Sequence, residues 1–381
     1  MFSLFLALAS VQDSAPIIVT GQVGDARRAL EACLARKCPP LEDMAASLRY
    51  AEAQFVAGQY QGARKTLKGA TDRNRGFAAE HPREVAGLYR AASRVAAHLG
   101  EGDESESRAF GMMRAMKAGL PDQSPEVLLA RLEVAKTQAN FNKVAGAIIT
   151  LEGVCSAAEA SGQRLIYGIA AIRLAALKDI VGGKSEAKRL LRPITGWTEP
   201  EMAQVRFAAR LLLARLEDGP EAMDKLIAEL RSAPGQPPVL LKMAPLKIDW
   251  YDPRGARQGV GEVATVKVEQ WYQPRVDQKW ADIGFWVRPD GTVDDVDVLR
   301  ESGAEKFWID PIVAQTKSRV YAKAANPAGP AVYRVERFTL TALWDKLTGT
   351  HQRVRAPAYR VERLDLTADP APKSAEPAGA K

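Results

Sequence analysis

Histidine, cysteine and aromatic residues are scarce in this chain of 381, which has three His, three Cys and an aromatic share of 7%. His81, His98 and His351 stand far apart, with no Cys, Ser motif or second His at ligand spacing, and no CxxC occurs. Zinc binding and His-assisted nucleophilic catalysis therefore have no support in the sequence. No run of 18 apolar residues exists, so no stretch matches a hydrophobic spanning helix. A phosphate-binding loop is missing too. Gly182, Gly183, Lys184 and Ser185 imitate the end of one, but Lys178 stands where its first glycine belongs and the segment joins two helices. Asp294, Asp295 and Asp297 read as the solvated side of a strand rather than a cation site. The net charge of +7 is spread along the chain with no Lys/Arg cluster interleaved with aromatics, so no nucleic-acid stripe is expected. No cofactor and no metal are expected.

What the chain does have is an Ala-, Leu-, Arg- and Glu-rich stretch from Gly24 to Arg231, punctuated by Gly, Pro and Asn. That is how a series of short helices reads. Thr198 with Glu201 makes a capping box, and Ser124 before Pro125 makes a helix start. Gly58, Gln59, Tyr60 and Ala63 sit where a tetratricopeptide helix pair carries its turn glycine, aromatic and small packing residue. Similar sets occur at Gly102 to Ser107, Ala139 to Val144, Gly182 to Ala187 and Glu217 to Ala222. The region resembles a degenerate tetratricopeptide-like array, an α-solenoid in which each amphipathic pair buries its apolar face by stacking. An irregular helical bundle is the alternative.

Ser232 to Pro238 interrupts this pattern and marks a linker. Six of the seven tryptophans follow it, as expected if a small β-containing module needs large residues for its core. Ala264 to Trp271 is expected to be one strand. Ile283, Phe285 and Val287 then alternate with polar residues, Pro289 to Gly291 turns the chain, and Val293, Val296 and Val298 mark a second strand, which together predict a hairpin. Glu305 to Tyr321 has helical spacing, and Val332 to Leu343 reads as a last strand. In order and punctuation this resembles the carboxy-terminal domain of TonB-type energy transducers: a Gly between valine-rich strands, Ser302-Gly303, an Asp-containing helix with Tyr321 at its end, and Gly329-Pro330 before the last strand. The resemblance implies binding of an outer-membrane receptor peptide added as a strand beside Tyr333, Val335, Arg337 and Thr339.

Tyr333 to Thr341 reads YRVERFTLT and Tyr359 to Thr367 reads YRVERLDLT, so the tail repeats the last strand and is expected to lie along the sheet. Phe2 to Ala9, with small residues before Gln12, resembles the end of a secretory signal. Cys33 and Cys38, five apart at a helix end, could then pair in an oxidising periplasm; two ordinary thiols are the alternative.

The expected organisation is a signal segment over 1–20, helical repeats over 21–231, a linker over 232–262, a TonB-like hairpin, helix and strand module over 263–347, and an extra strand with a disordered Pro/Ala tail over 348–381. The fold class is thus multidomain α and α+β, with halves that fold independently. The expected role is that of a periplasmic binding protein for an envelope partner, such as a TonB-dependent receptor, and not an enzyme. A structural envelope scaffold and a cell-wall enzyme without a recognisable motif are the alternatives.

Overall fold

The computed structural model describes residues 23–217, 219–229, 238–248, 279–303, 306–346 and 353–367. The expected signal segment, the Ala264–Trp271 strand, the Ser232–Pro237 part of the linker and the tail from Asp369 lie outside the described residues.

Eleven helices come first: α1 (Val23–Ala35), α2 (Pro40–Val56), α3 (Tyr60–Asn74), α4 (Pro82–His98), α5 (Gly102–Gly119), α6 (Pro125–Asn140), α7 (Val144–Ala160), α8 (Arg164–Ile180), α9 (Lys184–Thr195), α10 (Ala203–Glu217) and α11 (Pro220–Glu229). Each packs on the next, which makes the region a tetratricopeptide-like stack of helix pairs. The turns inside the pairs are built alike. Gly58, Gly100, Asn142 and Gly182 all have positive φ, and the following amide reaches back to close the helix: Gln59 to Gln54 O, Glu101 to Ala96 O, Lys143 to Gln138 O and Gly183 to Lys178 O. Five residues after each turn stands a buried small residue, Ala63, Ser105, Ala147 or Ala187. These positions correct the register expected at Ser107 and Val144. The second turn uses Gly100, since Gly102 already opens α5, where a Cβ would press on the Phe141 ring. Ser124 caps α6 by accepting from the Val127 amide. The Thr198–Glu201 box does not form, because Pro200 starts the next turn and Glu199 takes the capping position.

The remaining elements are β1 (Leu240–Lys242), β2 (Lys279–Val287), β3 (Val293–Glu301), α12 (Lys306–Lys317), β4 (Val320–Tyr321), β5 (Val332–Lys346) and β6 (Arg353–Asp365). β3, β2, β5 and β6 form an antiparallel sheet in that order, and β1 pairs with β4. The hairpin, the helix and the long strand follow the expected order. The helix, however, ends at Lys317 rather than Tyr321, because Val320 and Tyr321 pair with β1. The expected linker is also corrected: residues 238–248 belong to the sheet module. Val239 O accepts from the Ala322 amide at 2.8 Å, Ala244 O accepts from Gln315 Nε2 at 2.8 Å, and Leu240 is buried in the module's core.

Period-two alternation gives the four-stranded sheet two unlike faces. Ala281, Ile283, Phe285, Phe338, Leu340 and Ala342 point into a core shared with Trp308, Ile309 and Ile312 of α12. The opposite face carries Asp282, Arg337, Thr339, Thr341, Glu362 and Leu364 and turns toward the helices. Trp280 and Leu364 pack on the same core cluster as α2, α3 and α4. Two independently folding halves, as read from the Pro-rich linker, do not accommodate this shared surface.

Candidate functional site

The junction between helices and sheet starts from an unmet need of every α-helix, whose last carbonyls have no partner within the helix. Here the sheet supplies donors to three successive pairs. Arg337 donates to Phe55 O (3.0 Å) and Val56 O (2.8 Å) at the end of α2. Arg355 donates to Leu99 O (3.0 Å), just past α4, and the Trp344 amide to Gly100 O (3.3 Å). Arg360 donates to Asn140 O (2.9 Å) at the end of α6. A cation at a helix C-terminus also meets the negative end of the helix dipole. Each guanidinium lies over an aromatic ring: Arg337 on Trp280 at 3.8 Å, Arg355 on Trp344 at 4.3 Å and Arg360 on Phe141 at 4.6 Å. The turn glycines make room, since a Cβ at Gly58 would overlap the Trp280 indole and one at Gly100 would overlap Ala342 O.

Arg337 is wholly buried and pairs with the equally buried Asp282, which also takes Arg300 from β3. Next to it, Thr339 Oγ1 lies 2.9 Å from Tyr60 Oη and 2.7 Å from His98 Nδ1. A neutral His98 can accept the Thr339 proton while Thr339 accepts from Tyr60. Burial, with Arg337, Arg94 and Arg360 nearby, holds the His98 pKa down to about 3. The unfolded imidazole, with a pKa near 6.5, therefore binds a proton that the folded one refuses. Stability contributed by the neutral ring is complete above about pH 6.5 and is lost progressively as pH falls toward 3. Thermal melts across that range should show the loss, and His98→Asn should flatten the profile; an unchanged slope in that variant would remove His98 as its source.

Of the four residues expected at a receptor-binding edge, Val335, Arg337 and Thr339 are not at an edge, while Tyr333 lies beyond the stretch that pairs with β6. β5 is flanked by β2 and β6, and its Val335 carbonyl and amide are taken by the Leu366 amide (2.8 Å) and Thr367 Oγ1 (3.0 Å). Arg337 and Thr339 point into the helices, and Tyr333 is half exposed beside Trp286, with ring centroids 4.9 Å apart. The correction has a simple cause: the repeat at Tyr359–Thr367 covers the edge that the resemblance assigned to a partner.

A second feature was not legible in any motif. Between α2, α4 and β6 lies a cleft of about 150 Å³, with Leu48, Phe55 and Leu364 in its walls and Glu52, Arg90 and Arg94 bringing charge. Glu133, one pair further on, acts on Arg94, and Lys136 and Arg173 act in turn on Glu133. Burial raises the Glu52 pKa and lowers those of Arg94 and Arg173; for Glu133, burial is outweighed by Lys136, Arg94, Arg173 and Arg90, and the pKa falls. The signal that could have found this site is positional: Glu52, Arg94 and Lys136 stand 42 residues apart, equivalent places on α2, α4 and α6.

Cys33 and Cys38 are joined as a disulfide, with Cα atoms 5.1 Å apart. Together with Glu42 they are the one metal-ligand-like trio among the described residues, but the sulfurs bind each other and Glu42 accepts from Arg36. Cys155 is buried in the helical core and burial pushes its thiol up to about 12.

No protein-family model matches the chain, and no curated protein matches it significantly. Among solved structures, BtubC (BKLC) from P. vanneervenii is 13% identical, with 54% of this chain and 86% of that one covered and a TM-score of 0.41. A Podosopora anserina kinesin-light-chain-type protein with nearly identical TPR-like repeats is 18% identical over 50% of this chain and 93% of that one, with a TM-score of 0.39. The helix pairing described above makes the helical part TPR-like. The resemblance to TonB-type domains rests on element order alone and has no support from these comparisons.

Proposed function

We propose that this chain is a protein-binding protein that engages partners through the cleft between its helical stack and its sheet, with no catalytic step. The observation that carries the proposal is the cleft itself, in which apolar walls are bordered by half-buried charges of both signs, the makeup of a polypeptide-recognition surface. A photo-crosslinker at Leu48, inside the cleft, should capture a partner from cell extract, while one at exposed Lys65 on α3 should not. Equal capture from both positions, or none from Leu48, would refute it.

The same proposal places the protein in an oxidising compartment, the periplasm of a cell envelope, on the strength of the Cys33–Cys38 disulfide. Non-reducing peptide mapping of protein isolated from the envelope should recover these two cysteines in one linked peptide, with Cys155 unreactive until unfolding. Free thiols at both positions would end the compartment argument. A TonB-dependent receptor strand beside β5 would have to displace β6, so strand addition, if it serves the partner, belongs at the outer edge of β6.

A further inference from the structure

The sheet face that carries Asp282 and Arg337 continues past the helix ends they cap. Strand alternation brings Gly284, Trp286, Val335 and Tyr333 to the same side, with Gly284 opposite Val335 and Trp286 opposite Tyr333. Trp286 remains 41% exposed and Tyr333 38%, and their ring centroids lie 4.9 Å apart. Tyr333 reaches across Gly284: a Cβ at that position would overlap the Tyr333 hydroxyl and come within 3.0 Å of Leu299 Cδ1. Glycine inside a strand costs stability and marks a place where another group approaches the backbone closely. Here that group is the Tyr333 side chain, which is held down over the sheet beside Trp286. Leu299, also exposed, extends the patch onto β3. Two large aromatic rings kept side by side on paired strands form a contiguous apolar platform, unlike single apolar residues scattered over a surface.

The end of β6 is directed at this platform. β6 runs antiparallel to β5, with Asp365 opposite Glu336. The Leu366 amide donates to Val335 O at 2.8 Å, and the Val335 amide donates to Thr367 Oγ1 at 3.0 Å. The chain therefore leaves the sheet at Val335, two residues short of Tyr333, which is about 7 Å along the strand. Residues 368–381 follow, with the sequence ADPAPKSAEPAGAK. Pro370, Pro372 and Pro377 lack the amide that a strand ladder needs, and apart from them the segment has no apolar residue larger than alanine. What such a segment offers a surface is its proline rings, and aromatic side chains are the surface that takes them. Its 14 residues, at about 3.1 Å each in a polyproline helix, reach about 43 Å, several times the distance needed. Charge agrees as well. Lys373 is the sixth residue after Thr367, and Asp297, opposite Gly284 on β3, is exposed at the border of the patch.

We propose that the Trp286–Tyr333 platform is a docking surface for proline-rich polypeptide, and that residues 368–381 of the same chain are its occupant, with a proline ring set against the two aromatics. The platform shares no residue with the walls of the α2/α4 cleft, so this inference goes beyond the cleft reading and does not depend on it.

The test uses the full chain with a benzophenone photo-crosslinker in place of Ala375, followed by peptide mapping of the irradiated protein. The label should join peptides that carry Trp286 or Tyr333, and the product should run as a single chain. Trp286→Ala should lower the yield of that link by about fivefold or more, as expected for loss of a central aromatic anchor. Replacing Pro370, Pro372 and Pro377 together by alanine should lower it comparably. The proline variant keeps every described residue, so it decides the matter if Trp286→Ala fails to fold. Links scattered without preference for those two peptides, links to the cleft walls instead, or links found only between two chains would overturn the proposal. So would an unchanged yield in either folded variant.

Discussion

Arg337→Met is expected to destabilise the protein by about 3–5 kcal/mol, the range for breaking a buried ion pair from one side. Arg337 has no solvent exposure, and its guanidinium serves Asp282, Phe55 O, Val56 O and Tyr60 Oη at once. Methionine fills part of the volume but leaves the α2 carbonyls and a buried carboxylate short of donors. Arg300, half exposed, still reaches Asp282 and should keep the loss from exceeding that range. Adding Asp282→Ala to Arg337→Met should recover part of the loss, since the orphaned charge is then gone. Denaturant unfolding monitored by tryptophan fluorescence measures both variants, and the exposed pair Arg27–Glu31 provides a control expected to matter little. A loss under about 1 kcal/mol for Arg337→Met would show that the junction is not held by this pair.

Cutting the chain between the helices and the sheet should not release two stable halves. With cleavage anywhere in 249–278, the fragments are expected to stay together through native size-exclusion chromatography. The reason is that the sheet's helix-facing side is polar only because the helices complete it. Asp282, Arg337, Thr339 and Glu362 would be left on an exposed face beside Trp280 and Leu364, and three helix C-termini would lose their arginine donors. Expressed alone, residues 279–367 should unfold cooperatively at far lower denaturant than in the intact chain, while the helical part should survive with lowered stability. Its larger core, running from α6 through α10, lies away from the junction. A separated sheet module with the intact chain's midpoint would contradict the shared-surface account.

Much of the architecture was readable because it follows from local rules. The hairpin of β2 and β3 shows as alternation around Pro289, Asp290 and Gly291, whose turn glycine has positive φ. Leu151 and Val154 beside Cys155 in the sequence mark a core position, and Cys155 is buried. The duplicated YRVER segments predicted a strand beside β5, and that strand is β6. The candidate site was far less legible. His98 read as an ordinary isolated histidine because Thr339, its partner, is 241 residues away. The cleft charges Glu52 and Arg94 carried no signal, since nothing in the local pattern says which face a stacked pair leaves concave.

By itself, then, the sequence determined the helix pairs and, to within a few residues, their turns, the order of the sheet elements and the pairing of the repeated strand. Each depends on backbone preference and side-chain periodicity within a few dozen residues. Only the tertiary structure decided that Val335, Arg337 and Thr339 lie inside a sheet rather than on its edge, and that three arginines of that sheet close three helix ends. Those contacts join residues more than 200 positions apart. Their free energy comes from pairing buried charges and capping carbonyls together, which no single segment can specify alone.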